Sequence, residues 1–395
     1  MHVLIIPGEQ LNNKNQFSSV FEIHQALALQ KLNVNVGFIS INLVGSIYKD
    51  IKNTFIKIAH FKSLISYNSA QNIQGINLVE RAGKFLTPSF LNLYKIEKIN
   101  AGIKAYKYYI EKFGKPDIIH AHSRFLISAL IAGKIHDLYG IPFIITEHSS
   151  FHQRNMVSPK EYLVYSELIN ASKKWLVVSG DLGNIITSKI GNIKINKSFS
   201  VLPNFLDSNL KYSVKTRNGK YTFLHIAALD ANKNQELLIN SFNLLCKSNS
   251  NLELRIGGDG LMKDKLKSQI QRLNLQNVKL LGHLNREEIE REMINSNAFV
   301  LCSNYETFGV VLIESLAIGR PIISTKCGGP EHIVNEKNGI LVEPNNIDQL
   351  TNAMEFMYKK YGDYDLKEIS DDCIDKYGYK TIGNKLIEIY KQALN

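Results

Sequence analysis

Cysteine is sparse and unpatterned in this chain. Cys246, Cys302, Cys327 and Cys373 form no CxxC pair and show no metal-ligand spacing. Disulfide scaffolds and zinc ribbons are thereby excluded, and a reduced cytosolic protein is the default expectation. Long apolar runs are also missing, since no stretch approaches the ~20 consecutive apolar residues of a membrane span. The opening Met1-His2-Val3-Leu4-Ile5-Ile6-Pro7-Gly8 is too short for a signal peptide and reads as a first strand. The loop after it, Glu9-Gln10-Leu11-Asn12-Asn13, lacks the GxGxxG of dinucleotide binding, which disfavours a nicotinamide-type Rossmann enzyme. No repeat of solenoid length, aromatic RNA-binding signature or DNA-binding motif occurs, so no nucleic-acid partner is expected.

What is present is a globular composition, 44% hydrophobic and 21% charged over 395 residues, a length that favours two domains. The net charge of +11 is unevenly placed. Residues 1–205 hold 23 Lys+Arg against 12 Asp+Glu, whereas residues 206–395 hold 24 of each. A genome bias towards lysine would act on both halves, so a one-sided basic domain points to an anionic partner such as a membrane surface or a phosphorylated lipid.

Strand-length and helix-length segments alternate throughout, the rhythm of a parallel sheet with helices on both faces. In the first half His2 to Pro7, Val34 to Ile41, Asp117 to His122, Pro142 to Glu147 and Lys174 to Ser179 read as strands, and Phe17 to Lys31 as a helix. Residues 54–115 are less regular and more basic. Within them Phe55 to Lys62 interleaves apolar and basic residues, and Tyr94 to Lys115 is a lysine-rich helix with Tyr106, Tyr108 and Tyr109. That helix fits either an anionic membrane surface or a solvated face backed by core tyrosines. The polar, aperiodic stretch 207–220 marks a domain boundary, giving an N-terminal domain 1–205 and a C-terminal domain 206–375, with the last helix, 376–395, expected to pack back on the first domain.

Candidate site residues stand where strands end, because ligands of open α/β sheets bind outside the carboxyl ends of strands. In the first half these are His122 and His148. In the second half Ala298 to Cys302 is a buried strand, Val310 to Ile318 a buried helix closed by Gly319, and Ser303 to Gly309 the loop between them. Glu306 lies in that loop and Glu314 about a turn and a half inside the helix. Glu306 could be a plain helix-entry acid. A glutamate on an otherwise apolar helix is harder to dismiss, since burying an unpaired carboxylate costs several kcal/mol.

Glu306 and Glu314 stand eight apart, with Phe308-Gly309 after the first, Gly319-Arg320-Pro321 after the second and Gly328-Gly329-Pro330-Glu331 beyond. With Pro203-Asn204, Lys233, Ile256-Gly257-Gly258-Asp259-Gly260 and Thr146-Glu147-His148, this set resembles the group 4 family of retaining nucleotide-sugar glycosyltransferases over most of residues 116–345. The resemblance implies the α/β GT-B fold, two Rossmann-like doubly wound domains facing across a cleft, the second binding the nucleotide-sugar and the first the acceptor. By the same resemblance Glu314 would hold the ribose, Glu306 and the N–H groups of Thr307, Phe308 and Gly309 the transferred sugar, and the N–H groups of Val310 and Val311 the diphosphate. Lys233 would neutralise the leaving diphosphate and His148 would contact the donor sugar. Gly8 would let the first loop approach the phosphates, while Gly257 and the loop around His283 and Leu284 would line the donor site near the base. His122 and Arg124 fall on the acceptor side.

The pattern departs at two places. The arginine usual five residues before the lysine is Ala228, which leaves Lys326 or Arg124 as alternative second cations, and the first loop has Gly8 where many relatives have a glycine pair. A front-face reaction without metal or cofactor is implied, with the nucleotide-sugar, a UDP-sugar, as co-substrate. The acceptor expected is a lipid-linked or oligosaccharide one in bacterial surface polysaccharide synthesis, handled by a cytoplasmic enzyme peripheral to the inner membrane face. A UDP-sugar epimerase of the same fold, and a non-catalytic basic binding module, are the alternatives.

Overall fold

A computed structural model describes residues 1–8, 20–46, 66–73, 75–85, 93–124, 126–191, 193, 195–206, 209–215 and 219–395. The first loop at 9–13, the interleaved basic stretch at 55–62 and parts of the 207–220 linker lie outside the described residues. The chain divides into two compact units. One comprises Met1–Val178, Gly183–Phe205 and Ile382–Asn395, the other Ser179–Leu182 and Leu206–Thr381.

The first unit is built on strands β1 (His2–Ile6), β2 (Asn35–Ser46), β3 (Ser66–Ile73), β4 (Ile76–Phe85), β5 (Ile118–Ser123), β6 (Phe143–Glu147), β7 (Lys174–Val177) and β8 (Ser200–Val201). They form one sheet in the order β3-β4-β2-β1-β5-β6-β7-β8. Every pairing is parallel except β3–β4. Parallel strands need helical crossovers that cover both faces, and β1, β5 and β6 are accordingly buried almost end to end. Their near-continuous Val, Ile and Leu content is what made them legible as strands.

The β3–β4 hairpin breaks the irregularity expected for residues 54–115. Its edge strand, SYNSAQNI, is polar and lies largely exposed, so no hydrophobic alternation announces it. Gly75 at φ +84 turns the chain, its N–H donating to the Asn72 side chain at 2.9 Å. The lysine-rich helix runs Tyr94–Phe113 with Tyr106 and Tyr109 fully buried and Lys104, Lys107 and Lys112 facing solvent. It is therefore a helix with core tyrosines and a solvated basic face. Tyr109 reaches the His2 ring at 2.7 Å and fills the space that any side chain at Gly37 would need.

The second unit carries β9 (Tyr221–Ile226), β10 (Leu252–Gly257), β11 (Val278–Gly282), β12 (Ala298–Leu301), β13 (Ile322–Thr325) and β14 (Gly339–Val342), all parallel, in the order β11-β10-β9-β12-β13-β14. Helix Gln235–Cys246 presents Leu238, Ile239 and Phe242, all fully buried, to a core with Phe223, Leu254, Val300 and Met354. Buried Arg320 donates to the carbonyls of Met293 (3.3 Å), Ile294 (2.8 Å) and Ser213 (2.6 Å), so the end of helix Arg286–Ile294 is tied to the turn after Gly319. Among the described residues no helix is long and apolar enough to cross a membrane.

Truncating Phe242 removes the largest side chain that the first helix of the second unit places in this core. Phe242→Ala should cost about 3–5 kcal/mol of stability, read as a lower urea midpoint in far-ultraviolet circular dichroism, and a loss below about 1 kcal/mol would overturn this account of the core.

Candidate functional site

Strand order reverses at β9, which has β10 on one side and β12 on the other. Loops that follow the two central strands of such a sheet part company at their tips and leave a crevice. The loop after β9 (227–234) and the loop after β12 (302–309) meet at this crevice and are laced together. Asn304 N–H donates to Asn232 O at 2.7 Å, Tyr305 N–H to the Asn232 side chain at 3.1 Å, the Asn232 amide to Tyr305 O at 3.1 Å, and the Asn304 amide to Ala231 O at 3.2 Å. Asp230 accepts from the N–H groups of Asn232 (2.9 Å) and Lys233 (3.1 Å), an Asx turn that sets where Lys233 points.

Lys233 Nζ is paired with Glu306 Oε1, which also accepts from the Ser303 hydroxyl at 2.9 Å. Burial opposes the charge on Lys233, but the Glu306 carboxylate outweighs it and holds the ammonium above its ordinary pKa. Beneath the pair lies His225, fully buried, donating Nδ1–H to Val300 O at 2.8 Å and accepting from Gln235 at 3.2 Å. Burial pulls it down to about 4, so it is neutral. Glu306 is fixed through its backbone as well, N–H to Cys327 O (3.0 Å) and C=O from Gly329 N–H (2.8 Å). A Cβ at Gly329 would overlap the backbone of Phe308, and Gly328 takes φ +118, which together explain the glycine pair. Phe308 is buried edge-on against Tyr377 at 5.8 Å. Gly309 takes φ +96 at the start of helix Val310–Ala317, and no side chain caps that start.

Glu314 lies on the same helix with its side chain 8% exposed, and Arg286 Nη1 sits 2.7 Å from its Oε1. Arg286 opens helix Arg286–Ile294, whose entry is fixed by a capping box between Asn285 and Glu288. In the loop before it His283 is exposed, and Leu284 is buried against Gly257, where a Cβ would come 2.6 Å from Leu284 Cδ1. Gly258, at φ +133, brings β10 close to the β9 loop and donates N–H to Gly282 O at 2.8 Å. Ala228 is exposed and contributes only its carbonyl, which accepts from Gln235 at 2.9 Å. Lys326 is held by Glu343 at 2.6 Å.

The first unit repeats the topology, with its reversal at β1 between β2 and β5. Gly8 follows β1, and a Cβ there would meet Arg124 Cγ at 2.8 Å and His122 O at 2.9 Å. Here three histidines form a buried chain. Gln25 donates to His120 Nδ1 (3.1 Å) and to His122 Nε2 (3.3 Å). Tyr390 also meets His120 Nδ1, at 2.7 Å. His120 therefore carries its proton on Nε2 and gives it to Thr146 at 2.7 Å, and His122 gives its Nδ1 proton to His148 Nε2 at 2.8 Å. His148 is further bonded to Asn204. A fully buried His122 with both nitrogens engaged presents no atom to an acceptor, and it stands behind His148 instead. Glu147, also buried, accepts from the N–H groups of His148 (2.9 Å) and Ser149 (2.8 Å) and fixes the loop that bears His148. Among the described residues no three His, Cys, Asp or Glu are grouped to hold a metal ion.

Several supporting residues escaped the sequence pattern. Gln25 gave one signal, a polar residue on an apolar helix, whereas Asn232, His225 and Arg286 gave none, because their partners lie tens of residues away.

The histidines make stability depend on pH in a stated direction. Burial holds His122 down to about 3, and holds His120 and His148 well below the ordinary imidazole range. The unfolded chain takes up these protons near 6.5 and the folded chain does not, so stability is full above that pH and falls as pH drops towards the folded values. For His122 alone, moving from pH 7 to pH 5 should cost about 2 kcal/mol. The urea midpoint should fall over that interval and His122→Asn should flatten the profile; an unchanged midpoint would overturn the neutral-histidine assignment.

Comparison with known proteins identifies the family. Residues 208–379 match the model "Glycosyl transferases group 1" and residues 69–210 the model "Glycosyltransferase Family 4". The glycogen synthase of Mycobacterium tuberculosis is 26% identical over 266 residues, covering 65% of this chain and 63% of that protein. Among solved structures, sucrose-phosphate synthase from Thermosynechococcus elongatus superposes with a TM-score of 0.75 at 16% identity, covering 99% of this chain and 98% of the other. Anabaena HepE in complex with UDP-glucose gives 0.70 at 17% identity, covering 99% of both chains. The fold is thus the GT-B fold, and with the two models running together from residue 69 to residue 379, the chain belongs to the group 1, family 4 glycosyltransferases.

Proposed function

We propose that the protein transfers a hexosyl group from a nucleotide-sugar, a UDP-sugar, to a lipid-linked or glycan acceptor with retention of anomeric configuration and without a metal. The observation that carries this is the Lys233–Glu306 pair at the strand-order reversal, beside the uncapped start of the helix that bears buried Glu314. HepE, whose solved complexes hold UDP and UDP-glucose, supports the choice of donor.

In this assignment Glu314 binds the ribose, Val310 and Val311 N–H groups the diphosphate, and Glu306 with the N–H groups of Thr307, Phe308 and Gly309 the transferred sugar. His283, Leu284 and Gly257 line the base end. In the first unit Gly8 and His148 are assigned to the donor's phosphates and sugar, and Arg124 to the acceptor side; His122 becomes a positioning residue behind His148. A double displacement needs a carboxylate aimed at the anomeric carbon. Glu306 Oε1 is instead engaged by an ammonium and a hydroxyl, which suits it to accept hydrogen bonds from sugar hydroxyls. The bond from the anomeric carbon to the diphosphate breaks with its electron pair going to the diphosphate, whose charge Lys233 neutralises. The acceptor oxygen bonds to the same face of the carbon, and its proton passes to the departing diphosphate oxygen.

Two measurements follow. Glu306→Ala and Lys233→Ala should each cut sugar transfer by about 10²–10³-fold, and near-normal turnover in both would overturn the assignment. The basic first half, with the exposed lysines and the exposed Leu93, Tyr94 and Ile96 of helix Tyr94–Phe113 and its N-cap, supports docking on an anionic membrane. The protein should co-sediment with vesicles containing phosphatidylglycerol and detach at high salt, and equal binding to neutral vesicles would count against the electrostatic origin.

A further inference from the structure

The ion pair between Arg286 and Glu314 belongs to no part of the reaction described so far. Building on the donor assignment above, we propose that Arg286 is the second cation of the nucleotide site, paired with Glu314 in this structure and handed to the nucleotide's phosphate when the ribose takes Glu314.

The charges on the page lead there. A departing diphosphate asks for more than one cation, and position 228, which supplies one in the pattern this chain resembles, is an uncharged alanine. Lys326 is engaged by Glu343 at 2.6 Å. Arg286, in contrast, is held by one of the two carboxylates of the site itself, with Nη1 2.7 Å from Glu314 Oε1. Its side chain is 36% exposed and that of Glu314 only 8%, so the guanidinium is the more solvent-accessible member of the pair.

Chemistry favours the exchange. A ribose diol that takes both oxygens of Glu314 meets Arg286 at Oε1, so ribose and guanidinium draw on one group. Replacing a charged partner by a neutral diol would weaken the charge compensation of a buried carboxylate, which is costly. A nucleotide removes the difficulty, because its first phosphate is attached one carbon from the ribose ring and offers the guanidinium a two-pronged anionic partner. Ribose on Glu314 and phosphate on Arg286 then favour one another, a coupling within one ligand. Only the side chain has to move, since the capping box of Asn285 and Glu288 fixes the backbone of Arg286.

The test compares uridine with UDP, by calorimetry on the full chain, for wild type, R286A, R286Q and R286K. R286A should lose about tenfold or more in UDP affinity while uridine binds as well or better, because Glu314 is uncovered. R286Q, which keeps a neutral hydrogen bond to Glu314, should show the same loss for UDP, and R286K should recover part of it. Equal weakening of uridine and UDP, or a UDP affinity within about twofold of wild type, would overturn the proposal. Adenosine and ADP are measured alongside. Wild type that binds neither nucleotide would sink the donor assignment as well, whereas wild type that binds one of them with an unchanged nucleoside-to-nucleotide ratio in R286A would sink only the role of Arg286.

Discussion

Parallel strands cannot turn back through a hairpin, so each must be followed by a crossover, and the order β11-β10-β9-β12-β13-β14 sends those crossovers away from β9 in two directions. The loops at the tips of β9 and β12 are left without strand partners for their polar backbone groups. Asn232 and Asn304 supply the missing bonds, each from one loop to the other, and Asp230 does so within its own loop. A lysine and a glutamate 73 residues apart are brought into contact as a consequence. The ion pair is thus a by-product of satisfying backbone groups at a place where topology denies them partners.

The same reversal in the first unit has a different chemical outcome. There the strand tips of β5 and β6 carry a row of neutral, deeply buried imidazoles beside the Glu147 carboxylate, and Gln25 decides which nitrogen of His120 and His122 bears the proton. A buried histidine without a carboxylate stays neutral because desolvation penalises the cation. One unit therefore presents fixed ion pairs and the other a directed chain of neutral hydrogen bonds, from one architecture.

How much of this was legible in the sequence varied with distance along the chain. Strands β1, β5, β6 and β9 were readable because burial on both faces demands unbroken apolar runs. Hairpin strand β3 was not, since an exposed edge strand tolerates SYNSAQNI. Glu306, Phe308, Gly309 and Glu314 lie within one strand–loop–helix segment, so local chemistry fixed their spacing and made them recognisable. Arg286, Asn232, His225 and Gln25 act on partners brought near only by the tertiary fold, and their types are unremarkable for a helix start, a loop, a strand and a helix. Gly8 shows the limit in reverse: the glycine was visible, but the reason for it, the Arg124 side chain and the His122 carbonyl packed against its α-carbon, was not.

The two carboxylates of the candidate site are both paired with cations, Glu306 with Lys233 and Glu314 with Arg286. A site built this way carries no large net charge of its own and avoids the desolvation cost of isolated ions. On the proposed donor assignment, a ligand enters by offering each ion a replacement partner. Sugar hydroxyls suit a carboxylate, to which they donate, and phosphates suit an ammonium or guanidinium, to which they offer charge. A molecule that joins the two kinds of group at the right separation exchanges all four partners together. On the proposed donor assignment the alanine at position 228 leaves the logic of the site intact, because selectivity for a sugar joined to phosphates would come from the paired charges and not from the number of positive groups.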